Sequence, residues 1–127
     1  MICAFLVALA ISVVNPFIGS GGHGHVFVGA DVPHGQVHAG PMNVTQGWDW
    51  CSGYHSSDST FAGFAQTRLG GTGVADYGDI LLRPQTTDTY EPSGFFLKST
   101  EKCTPGYYEV SLSDGVKAKV TASEQAA

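Results

Sequence analysis

No lysine or arginine precedes Arg68, and the first charged side chain of any kind is Asp31. Charged residues make up 13% of the 127-residue chain, about half the usual share, and the net charge is −5. A nucleic-acid partner would want a basic stripe, so that class is excluded. Also missing is a helical period sustained across any window long enough to define a helix. Cysteine is scarce, with only Cys3, Cys51 and Cys103. The one long apolar run, residues 1–14, is shorter than the roughly 20 residues a membrane-spanning helix needs, so no membrane span is expected.

That run, with Ala8-Leu9-Ala10 as a small-residue cleavage site, reads as a signal-like segment over residues 1–13 that lacks the usual positive n-region. The other reading is a first strand. The expected location is secreted, periplasmic or extracellular. Removing the segment would take Cys3 away and leave Cys51 and Cys103 to pair in an oxidising compartment. Asn43-Val44-Thr45 is a glycosylation sequon, usable only in a eukaryotic secretory host.

What is present in quantity is glycine, 17 residues, and turn chemistry. Gly19, Gly21, Gly22 and Gly24 crowd one loop. Val26-Phe27-Val28 and Gln36-Val37-His38 read as short strands, Ile80-Leu81-Leu82 as a buried strand stopped by Pro84. Gly70-Gly71-Thr72-Gly73 is a break. Pro105-Gly106 predicts a turn, and residues 107–112 and 116–120 alternate about Asp114-Gly115 as a β-hairpin. The fold expected is mainly β, an antiparallel β-sandwich over residues 14–127. The hairpin near the C-terminus has no following strand to cover its edge, so the domain is expected to be incomplete.

The chain is organised around Gly47-Trp48-Asp49-Trp50-Cys51-Ser52-Gly53-Tyr54-His55. Aromatic faces with a carboxylate and an imidazole make a poor core and a good ligand-facing loop; the structural alternative is an irregular connection whose tryptophans pack back on a sheet. Asp49, between two tryptophans, is the carboxylate best placed to accept from a hydroxyl-rich ligand. Asp58 and Asp79 read as turn caps, and Asp76 lies in a further glycine-rich loop. Residues 19–26 match a glycine-rich nucleotide loop by pattern only: the first lysine is Lys98, and the residues after the glycines are strand-like. All five histidines, His23, His25, His34, His38 and His55, fall in the first half. Their spacings, with Cys51, fit no closed structural zinc pattern, so no metal ligand is assigned among them.

Val14-Asn15-Pro16-Phe17-Ile18-Gly19, Gly21-Gly22-His23-Gly24-His25, Gly47-Trp48-Asp49, Cys51-Ser52-Gly53-Tyr54-His55, Asp58-Ser59-Thr60, Gly71-Thr72-Gly73, Gly78-Asp79-Ile80-Leu81-Leu82 and Pro105-Gly106-Tyr107-Tyr108 together resemble the opening of glycoside hydrolase family 92. The resemblance runs from Val14 to Ser123. It implies the N-terminal β-sandwich domain of a calcium-dependent, inverting exo-α-mannosidase acting on α-mannose-containing glycans. It also implies that the acid, the base and most calcium contacts come from a C-terminal (α/α)6 domain, so residues 1–127 alone would be inactive and hold no catalytic residue. Carried over by position, Trp48 and Asp49 would line the sugar site with His23 and His55 near it, and Cys51 would be structural or adjacent. The chain departs from the family pattern at Gln66 and Arg68, where histidines are common, and at Val28 and His34, where Pro and Phe are usual; these departures bear on linkage specificity. The alternatives are a stand-alone mannose-binding module and a non-functional remnant.

Overall fold

The computed structural model describes residues 13–66, 80–89 and 94–127. Its elements are antiparallel strands and two single 3-10 turns, Trp48–Trp50 and Lys98–Thr100. The strands are β1 (Gly40–Met42), β2 (Thr60–Phe61), β3 (Gly63–Ala65), β4 (Leu81–Leu82), β5 (Gly94–Phe95), β6 (Lys102–Thr104), β7 (Tyr107–Ser111) and β8 (Lys117–Thr121). They form three small sheets, ordered β1-β3-β4, β2-β5 and β6-β7-β8. The mainly β antiparallel architecture expected from the sequence is the one observed.

Residues 60–65 tie the first two sheets together. Their β2 half pairs with β5, and their β3 half lies between β1 and β4. Beyond β5, Phe96 bridges to Leu112 and so joins the third sheet. Pro41 sits in β1, an edge strand, where its missing N–H breaks no inner ladder. The hairpin forms as its turn residues predict: β7 and β8 pair in register from Tyr107↔Thr121 to Ser111↔Lys117, and the Val116 N–H donates to Asp114 Oδ1 at 3.0 Å.

The core is aromatic. Phe61 lies 5.1 Å from Phe64 and 5.0 Å from Phe96, ring centre to ring centre, with Tyr54, Tyr108, Val28, Val110 and Leu112 buried around them. Tilted rings at such spacing add attraction beyond area burial. One polar cluster is set into this core. Glu101 accepts from Tyr54 Oη (3.0 Å) and Tyr108 Oη (2.6 Å), and Lys98 Nζ donates to Tyr54 Oη at 2.8 Å. Burial, then the Glu101 charge, drives both tyrosine hydroxyls far above their ordinary values.

Three expectations are corrected. Residues 26–28 form no strand, with Val26 N–H taken by Gly19 O (3.3 Å), and residues 36–38 supply only the bridge residue His38, whose N–H donates to Gln66 O (3.1 Å) just beyond the β1–β3 pairing. Leu81 and Leu82 do supply strand β4, but Ile80, Leu81 and Leu82 are exposed, and among the described residues β4 pairs only with β3. Cys51 and Cys103 form no disulfide with each other: both are buried, and Cys103 Sγ instead donates to Gly29 O at 3.4 Å. Residues 1–12 of the signal-like segment over residues 1–13, Arg68, the glycine break at 70–73, Asp76 and Asp79 lie outside the described residues.

Candidate functional site

The Trp48–Trp50 segment closes a 3-10 turn, with Trp50 N–H donating to Gly47 O (3.1 Å) and Cys51 N–H to Trp48 O (3.3 Å). The turn sends its two tryptophans opposite ways. Trp50 is half-buried: its Nε1–H donates to Asp58 Oδ2 at 2.9 Å and its ring lies 4.9 Å from that of His55. Trp48 is 64% exposed. Its ring meets the His25 imidazole edge-on at 4.7 Å. Asp49, between them in sequence, turns to the glycine-rich loop.

There Asp49 Oδ1 accepts from His23 Nδ1 at 2.6 Å and faces His25 Nε2 at 3.4 Å. The His23 hydrogen bond, partly opposed by burial and helped by His25, holds the Asp49 carboxyl below the usual carboxylate range. The three side chains differ in exposure: His23 82%, Asp49 27%, His25 9%. His25 also takes φ 54°, the left-handed region that non-glycine residues avoid, and such strain persists only where surrounding contacts impose it. Sequence reading named His25 without choosing it. The signal was its place two residues after His23; its backbone conformation was invisible.

His55 has a different task. Its Nδ1 accepts from Ser57 N–H (3.3 Å), which places the ring proton on Nε2, and Nε2–H donates to Gly22 O at 3.2 Å. Both ring nitrogens are thus engaged inside the protein, and the side chain ties the glycine loop to the tryptophan loop. Ser56 N–H donating to Ser20 O at 2.8 Å is a second tie. Asp58 is the turn cap that its surroundings predicted, accepting from Thr60 N–H at 2.8 Å. Burial pushes its carboxyl upward, but hydrogen bonds from Thr45, Thr60 and Trp50 outweigh burial and hold it low.

The structure therefore brings Trp48, Asp49, His23 and His25 together on an open face, with His55 as the brace behind them. A cleft of about 530 Å³ lies elsewhere, beside Pro16, Phe27, Val32, His34 and His38. It is lined mainly by apolar atoms, and we place the site by its converging polar groups instead. Two imidazoles and one carboxylate do not suit calcium, which takes six to eight oxygen ligands.

Residues 13–127 match the glycosyl hydrolase family 92 N-terminal domain. The chain belongs to that family. Its members include glycosidases with which this domain shares sequence and shape. A family 92 α-mannosidase from Bacteroides thetaiotaomicron, solved in complex with mannoimidazole, is 34% identical and aligns with a TM-score of 0.84 over 90% of this chain and 17% of its own. An uncharacterized secreted glycosidase from Arthroderma benhamiae is 28% identical, over 90% of this chain and 16% of its own. A family 92 inverting mannosidase from B. thetaiotaomicron VPI-5482, 24% identical with a TM-score of 0.63, shares the fold. The chain spans 16–17% of the length of these relatives. Among the described residues no helix is long and apolar enough to cross a membrane.

Proposed function

We propose that this domain lends loops to the mannose pocket of a secreted, inverting exo-α-mannosidase. The general acid, the general base and the calcium ion belong to a C-terminal (α/α)6 domain packed against it, and the substrates are α-mannose-containing glycans. The observation that carries this reading is the exposed Trp48 ring beside the Asp49 carboxylate. A pyranose has a C–H face that lies on an indole and hydroxyls that donate to a carboxylate. His25, edge-on to Trp48, fixes the indole, and His23 keeps Asp49 ionised and oriented. His55 acts from behind by holding the two loops in register. Secretion is supported by the Arthroderma relative, which is described as secreted.

The test is kinetic. In the enzyme that joins this domain to its (α/α)6 partner, Trp48→Ala should lower kcat/KM for an aryl α-mannoside about tenfold, the factor given by roughly 1.4 kcal/mol of lost contact. Unchanged kcat/KM would remove Trp48 from the pocket. The 127-residue chain alone, with calcium, should turn over nothing. Saturable quenching of its tryptophan fluorescence by mannobiose would favour a stand-alone glycan-binding module, the second reading that the exposed indole allows.

A further inference from the structure

We propose that His23, His25 and Asp49 form a binding site for a divalent transition-metal ion of the zinc class. One ligand atom from each of the three lies within 4.8 Å of the other two. Asp49 Oδ1 stands 2.6 Å from His23 Nδ1 and 3.4 Å from His25 Nε2. In a tetrahedral zinc site with bonds of about 2.0–2.1 Å, neighbouring ligand atoms are roughly 3.3 Å apart. A small outward swing of the exposed His23 ring reaches that spacing. His25 needs no comparable movement, because burial, the Trp48 edge and its left-handed backbone already aim Nε2 at the carboxylate.

The donor set selects the metal. Two imidazoles and a single carboxylate suit zinc, cobalt, nickel or copper and discriminate against calcium and magnesium, which want oxygen. Three protein ligands leave a fourth position, on the side where His23 meets solvent, for water or an exogenous oxygen ligand. The site engages the same carboxylate oxygen that the mannoside reading offers to a sugar hydroxyl, but it rests on the geometry alone and holds whether or not that reading does.

Cobalt(II) makes the site visible without any substrate. The purified protein, free of affinity tags and stripped with chelator, should take up one equivalent of Co²⁺ and develop the intense visible bands of a low-coordinate ion. Zinc should abolish those bands and excess calcium should leave them. His23→Ala, at a solvent-facing position, and His25→Asn, which keeps a residue tolerant of the left-handed backbone, should each lose the bands while retaining the wild-type thermal transition. His38→Ala, at the separate Asp31–His38 pair, should keep them. Overturning results are the weak spectrum of hexa-aquo cobalt in the wild-type protein, bands that survive in His23→Ala or His25→Asn, or bands lost in His38→Ala.

Discussion

Asn43 grips His55 by the backbone: its Oδ1 accepts the His55 N–H at 2.6 Å, while its Nδ2 donates to Thr60 O (2.7 Å) and Asp58 O (3.2 Å). The carboxamide is 1% exposed and thereby fastens the end of β1 to both sides of the turn after the tryptophan loop. Asn43→Ala strands a buried N–H and two carbonyls, so denaturant unfolding should show a loss of about 3 kcal/mol. The same burial decides the sequon. A glycan on Nδ2 cannot coexist with those bonds, and peptide mapping after secretion from a eukaryotic host should find Asn43 unmodified. A stable, glycosylated Asn43 would refute the arrangement.

Gly24 and Gly22 occupy the same loop for different reasons. A Cβ on Gly24 would lie 2.0 Å from Gly19 O, a backbone atom that can yield only by moving the loop. At Gly22 a Cβ meets nothing within 4 Å, but φ is +56°. Gly24→Ala should therefore cost about 2 kcal/mol or more through overpacking, whereas Gly22→Ala should cost about 1 kcal/mol through backbone strain. Thermal melts of the two variants test the order, and a milder Gly24→Ala would contradict the close approach.

Glu109 makes the acid limb of stability predictable. It lies on central strand β7 across from Lys102 on β6 and Lys119 on β8, with Lys117 Nζ at 3.0 Å and the Tyr107 hydroxyl donating to it. The Tyr107 bond first, and Lys117 next, hold its carboxyl down at about 2. A folded-state value below the unfolded one means that this contribution is complete above the unfolded value and drains away as pH falls toward the folded one. The stability gap between wild type and Glu109→Gln should be constant near neutrality, narrow below about pH 5 and close near pH 2. Urea midpoints across that range measure it; a gap independent of pH would assign Glu109 a purely steric role.

Local chemistry was what the sequence made legible. The Asp114-Gly115 hairpin, the Asp58 turn cap and the two glycine-bounded loops all depend on residues within a few positions of one another, and each took the expected form. Trp48, Asp49 and His23 do meet on one face, though nothing in their spacing reveals that His25 completes the group from a left-handed backbone. His55, expected near the ligand, also bonds Gly22 and Ser57, a bracing role that its place in the sequence does not reveal. The errors were of long range. Whether an apolar triplet such as residues 80–82 is buried depends on which strand neighbours it. The fate of two cysteines depends on where distant strands carry them.

Cys103 gives that last point a chemical test. Its thiol sits in the core against the Gly29 carbonyl, and burial pushes it up to about 11. At pH 8 roughly one molecule in a thousand carries the reactive thiolate, and the surrounding core keeps alkylating reagents out. Native protein should leave Cys103 unlabelled by iodoacetamide over hours, and labelling should appear in step with global unfolding as denaturant is raised. Peptide maps made without reductant should contain no fragment joining residue 51 to residue 103. A linked fragment would restore the expected disulfide and require the strand carrying Cys103 to turn its side chain away from Gly29. Rapid labelling below the unfolding transition would instead show that β6 opens on its own, ahead of the hairpin it pairs with.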